Sequence, residues 1–121
     1  MITEDYISFE VAKLLKEEGF EGRMHTFYTE EGTDIESSYV VPSNFFPIYR
    51  PTLQMAMKWL REVHSIDISI DIRFWTDDEG VDVKSWRYTV YRTDEIEDFG
   101  QSDTYEEACE EAIKYCLENL V

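Results

Sequence analysis

Positive charge is scarce in this 121-residue chain: eleven lysines and arginines stand against 27 aspartates and glutamates, for a formal net charge of −16. Such a field repels nucleic-acid phosphates and anionic membrane surfaces, which leaves basic partners or plain solubility as its uses. Cysteine is nearly absent as well. Cys109 and Cys116 lie two helical turns apart, with Cα atoms roughly 10 Å from one another, beyond disulfide reach. They read as small apolar residues of a reducing compartment. The five glycines are scattered and form neither a P-loop nor a dinucleotide fingerprint. No apolar run approaches the roughly 18 residues that a membrane-spanning helix needs. The start, MITEDYISFE, lacks the basic and apolar regions of a secretory signal. The expected setting is the cytoplasm.

What the chain has in quantity is aromatic side chains: seven Phe, eight Tyr and three Trp, within a hydrophobic fraction of 43%. High net charge alone would suggest disorder, and the aromatics decide for a packed core. The length fits one domain spanning residues 1–121, with no repeat or linker to divide it.

Three segments read as helices. The first runs from an N-cap at Ser8 to Gly19, with Ile7, Val11, Leu14 and Leu15 on one face and Phe20 placed to fold back in a Schellman motif. The second starts at Thr52 and reaches His64. Its polar positions Gln54, Lys58, Arg61 and Glu62 form one narrow stripe, and Leu53, Met55, Ala56, Met57, Trp59, Leu60 and Val63 fill the rest. So wide an apolar arc is either central in the fold or faces a second copy, so a homodimer through this helix is an expectation. The third starts at Thr104, where Thr104 and Glu107 match a capping box, and carries Tyr105, Ala108, Cys109, Ala112, Ile113, Cys116, Leu117 and Leu120 as its apolar stripe.

About four strands are expected. Met24–Thr29 and Ile35–Val41 read as a hairpin around a turn at 30–34. Pro42, Pro47 and Pro51 break regular structure through most of the following apolar loop, which is expected to lid the core, the rival reading being an exposed aromatic contact patch. Ile66, Ile68, Ile70, Ile72 and Phe74 alternate with Asp67, Ser69, Asp71 and Arg73, giving a strand with one wet face. After the turn at Asp77–Gly80, a partner strand covers about 82–92, and Val81 and Val83 have the opposite parity to Trp86, Tyr88 and Val90, suggesting a bulge or a later start. The expected architecture is α+β, in the order αββαββα, with an antiparallel sheet of about four strands and three helices packed on one face.

Motifs for chemistry are missing. His25 and His64 are not in His-x₃-His spacing, the cysteines do not match zinc spacing, and no metal is assigned. His64, at a helix C-terminus, reads as a favourable cap for the helix dipole. No Gly-x-Ser-x-Gly elbow exists, and the cysteines sit on the core side of a helix, where thiolate is disfavoured. With 27 acids some close carboxylate pair is expected by chance, so such a pair does not argue for acid–base catalysis. The acidic turn at 77–82 is superficially like a calcium loop but lacks its spacing and closing Glu. No enzymatic activity and no cofactor are expected.

One feature points to a partner. Asp94, Glu95, Glu97, Asp98, Asp103, Glu106, Glu107, Glu110 and Glu111 follow one another between Arg92 and Lys114 with no positive charge among them. On the third helix, Glu106, Glu107, Glu110 and Glu111 read either as a solvated, solubilising face or as the candidate partner-binding residues, set to meet a basic protein surface. In the alternative reading they act as phosphate surrogates. Successive turns place carboxylates about 6 Å apart, so a DNA-mimic inhibitor of a nucleic-acid-binding host protein would use them, without binding nucleic acid itself.

Three stretches, SFEVAKLLKEEGF, RPTLQMAMKWLREVHSI and YEEACEEAIKYCLENLV, together resemble a group of small uncharacterised proteins carried by phages, prophages and mobile elements of gut bacteria. The resemblance spans nearly the whole chain. It implies a bacterial or phage setting and an interaction role against host machinery, and carries over no site residue.

Overall fold

Ser8, Thr52 and Thr104 start three helices by the same means. Their hydroxyl oxygens accept the N–H of Val11, Met55 and Glu107 at 3.2, 3.2 and 3.1 Å. Each satisfies one of the backbone donors that a helix leaves open at its start, worth about 1 kcal/mol apiece. The helices are α1 (Phe9–Glu17), α2 (Leu53–His64) and α3 (Tyr105–Asn119). The computed structural model describes residues 5–20, 26–28, 34–36 and 48–121.

Gly19 closes α1 with φ +82°. The Phe20 N–H then reaches the Leu15 carbonyl at 2.9 Å and the Gly19 N–H that of Lys16 at 3.2 Å, the paired bonds of a Schellman motif. Phe20 is buried and meets Trp59 of α2 edge-on at 5.5 Å between ring centroids. The chain before α1 runs beside the start of α2: Ile7 donates to the Pro51 carbonyl at 3.1 Å and Leu53 to that of Asp5 at 3.0 Å.

The strands are β1 (Thr26–Tyr28), β2 (Asp34–Glu36), β3 (Ile48–Tyr49), β4 (Ile66–Thr76), β5 (Asp82–Arg92) and β6 (Glu95–Ser102). They form two antiparallel sheets, ordered β2-β1-β3 and β4-β5-β6. The fold is α+β with three helices, but the described order is αβββαβββα and the strands do not make one sheet of four. Two strands account for the difference. The pair Ile48–Tyr49 lies in the proline-rich stretch and is only two residues long. Strand β6 is rich in acids, poor strand formers by composition, and is held by pairing with β5. The pairing of β1 with β2 gives the hairpin read from the sequence, over shorter bounds. The lid expected at 42–47, and His25, lie outside the described residues.

The helices do not share one sheet face either. Helix α3 lies across β4, β5 and β6, α2 packs on β4 and α3, and α1 packs on α3 and β3. Ala108, Cys109, Ala112, Ile113, Cys116 and Leu117 of α3 are buried, meeting Val90 and Tyr88 of β5 and Ile66 of β4 in one core with Val11 and Leu15 of α1 and Leu53, Ala56, Met57 and Leu60 of α2. The wide apolar arc of α2 is thus largely used inside the molecule. Only Met55 and Val63 on it stay exposed, at 46% and 59%.

Both cysteines are buried and unpaired, and burial pushes the Cys109 thiol up to about 11 and the Cys116 thiol up to about 12. Arg92 caps the far end of α3, its Nη2 donating to the Leu120 carbonyl at 2.6 Å, where a cation suits the helix dipole.

Candidate functional site

The end of strand β6, the turn at Asp103 and α3 bound a groove of about 470 Å³. Its lining is Tyr88, Gly100, Gln101, Ser102, Asp103, Glu107, Glu110 and Glu111: four carboxylates and no cation. The floor depends on the absence of one side chain. Gly100 stands opposite Tyr88 in the β5–β6 ladder, and a Cβ on it would lie 2.6 Å from the Tyr88 ring. Only glycine lets that ring lie flat across the strand. The Tyr88 hydroxyl donates to Asp98 Oδ2 at 3.0 Å. Burial first, then the Asp98 hydrogen bond and the neighbouring Glu111 charge, push the Tyr88 hydroxyl up to about 12, so at neutral pH it remains a donor.

The four glutamates singled out by sequence separate into different surroundings. Glu107 and Glu111 are exposed on consecutive turns at the lip of the groove. Glu110, half-buried, also lines it but is engaged, its Oε1 accepting the Ser8 N–H at 3.0 Å. Glu106 is exposed and does not line the groove. The cation on α3 nearest in sequence, Lys114, is drawn away to Glu10 of α1 at 3.0 Å, and that carboxylate holds the Lys114 amine charged to higher pH. No carboxylate of the groove is therefore neutralised by an ion pair among the described residues.

Asp103 and the floor residues Tyr88 and Gly100 were not readable as site residues from sequence. Their only signal is parity, since Tyr88 and Gly100 share a sheet face only once the register of β6 is known, and a bulge at Val90/Tyr91 shifts it.

Elsewhere, the turn acid Asp77 is used by its own backbone: its Oδ1 accepts the N–H of Glu79 and of Val81, both at 2.9 Å. That Asx-type arrangement explains the acid at the turn without an ion. His64 packs edge-on against Trp59, with 4.7 Å between ring centroids. Among the described residues no group of three or more His, Cys, Asp and Glu could hold a metal, and no helix is long and apolar enough to cross a membrane.

No protein-family model, no curated protein and no solved structure matches this chain.

Proposed function

We propose that the protein is a non-enzymatic interaction module that captures a basic partner in the groove between α3 and β6. The observation that carries this reading is the lining: Asp103, Glu107, Glu110 and Glu111 face one concavity over the Tyr88 ring, with no cation to balance them. A lysine or arginine side chain of a partner would find Glu107, Glu110 and Glu111 on the α3 wall, Asp103 in the turn between β6 and α3, and an aromatic ring on the floor. Arginine is the better guest, because a planar guanidinium can pair with a carboxylate in two bonds and stack on an aromatic face. The −16 net charge would speed the encounter with a basic surface. The resemblance to phage- and mobile-element-borne proteins supports a bacterial host protein as that partner.

The DNA-mimic reading draws on one feature of the same surface, the exposed Glu107 and Glu111 on consecutive turns. Under it the partner would be a nucleic-acid-binding protein, and duplex DNA would displace this protein from it.

Isothermal titration with an arginine-rich peptide tests the groove. Glu107→Lys with Glu111→Lys should weaken binding by about tenfold or more, while the paired control Glu17→Lys with Glu18→Lys at the C-terminal end of α1 should leave most of it. Equal losses from both pairs would show that only net charge matters, and would remove the groove as the site.

A further inference from the structure

Among the described residues strand β4 is an edge of its sheet, 11 residues long and paired on one side only, with β5. Past Ile70 the hairpin runs beyond the helices that cover its base, and Asp71–Thr76 are all exposed. Both faces there carry apolar side chains. Ile72 and Phe74 are 39% and 71% exposed on the helix-bearing face, and Trp75 is 43% exposed on the other. Among the described residues no backbone bond outside the β4–β5 ladder engages residues 66–76. An exposed apolar edge of this length is a template for another strand.

We propose that this strand is the docking surface for a second copy of the chain, with β4 pairing antiparallel to its own counterpart about a two-fold axis at Ile72. The charges select that register. Centred on Ile72, Asp71 of each copy stands opposite Arg73 of the other, giving two complementary pairs. A shift of one residue either way sets Asp71 against Asp71 or Arg73 against Arg73. Within one copy Arg73 faces Ser85 across the ladder, and no carboxylate, so the second copy supplies what the first lacks. In the same register Phe74 faces Ile70 of the second copy and Ile72 faces its own counterpart. Residues exposed in the monomer thereby join the partly buried Ile70 in one apolar strip.

Electrostatics favour this location over others on so acidic a molecule. Residues 51–76 hold Lys58, Arg61 and Arg73 against Glu62, Asp67 and Asp71, a neutral stretch in a chain of net charge −16. The pairing is isologous and closed, so it ends at a dimer with a six-stranded sheet and adds no third copy. It also uses a different surface from α2, whose apolar arc is mostly spent inside the fold.

Sedimentation equilibrium of the full chain, from micromolar to submillimolar concentration, tests the inference. The wild type should be a reversible dimer. Arg73→Asp, at an exposed position, should weaken it about tenfold or more by replacing two attractive pairs with two repulsive ones. Arg73→Lys, which keeps the positive charge opposite Asp71 of the second copy and leaves Asp71 facing Arg87 in its own ladder, should associate nearly as tightly as wild type. Phe74→Glu, read alongside with circular dichroism as a check of folding, should also weaken the dimer. A monomeric wild type, an Arg73→Asp variant that associates as tightly as wild type, or a dimer broken instead by Met55→Asp with Val63→Asp would overturn it.

Discussion

The two halves of the β4–β5 hairpin carry the same kind of sequence and meet opposite fates. In the half next to α2, Ile66 is fully buried, Ile68 and Ile70 are half-buried, and their cross-strand partners Val90 and Tyr88 are in the core. In the far half, Ile72 and Phe74 continue the same alternation on the same face, yet Phe74 is 71% exposed. Alternation assigns a side chain to a face of the sheet. Whether that face is covered depends on how far the helices reach, and α3 begins only at Tyr105, whose ring meets Trp86 edge-on at 5.5 Å near the limit of that cover.

The sharpest way to test this contrast is to truncate one residue in each half. Ile66→Ala removes a fully buried side chain and should cost about 2–5 kcal/mol. Phe74→Ala, measured by urea unfolding at low protein concentration, should change stability by no more than about 0.5 kcal/mol. Comparable losses would mean that the far half is packed against something in the monomer.

A second test sets the groove floor against the groove lip. Gly100→Ala forces the Tyr88 ring off the strand and should cost about 1–3 kcal/mol, as overpacking usually does. Glu107→Gln at the exposed lip should leave the urea midpoint nearly unchanged. If Gly100→Ala were equally silent, Tyr88 would have room to move and the floor would not be fixed.

Alkaline pH distinguishes the interior from the surface by charge alone. Cys109, Cys116 and Tyr88 have ordinary values of 9.0, 9.0 and 10.0 and are raised in the fold to about 11, 12 and 12. Above pH 9 the unfolded chain therefore loses protons that the folded chain keeps. Stability supplied by these groups is full below about pH 9 and should fall progressively as the pH rises towards 12. Urea unfolding across that window should show the decline, and Cys109→Ala with Cys116→Ala should flatten it.

A helix end sets backbone strain apart from packing. Gly19→Ala meets no atom within 4 Å but must hold φ +82°, so it should cost about 1–2 kcal/mol from backbone strain alone. An unchanged midpoint would mean that the turn relaxes to another conformation.

Much of this fold was legible because the sequence states it locally. Ser8, Thr52 and Thr104 cap helices where hydroxyl residues precede apolar periodicity, and Gly19 with Phe20 closes α1 as its spacing suggests. Strand β6 was not legible, because the turn before it has no Asn-Gly or Asp-Gly signal. Thr93 takes a positive φ of 59° there, a conformation a β-branched residue seldom adopts. Without β6 the groove has only one wall. The four glutamates of α3 could be picked out as an exposed acidic set, but their division into two lip residues, one engaged by Ser8 and one outside follows from how α1 and β6 pack against the helix. The floor formed by Tyr88 and Gly100 is a product of register and is written in no single segment.

Amide chemical-shift mapping during titration with an arginine-rich peptide tests the central claim most directly. A partner seated in the groove should move the signals of Gly100–Asp103 and of Glu107–Glu111, and leave those of α1 beyond Lys13 in place. Shifts spread evenly over every acidic surface, or concentrated on the far end of the β4–β5 hairpin, would contradict it.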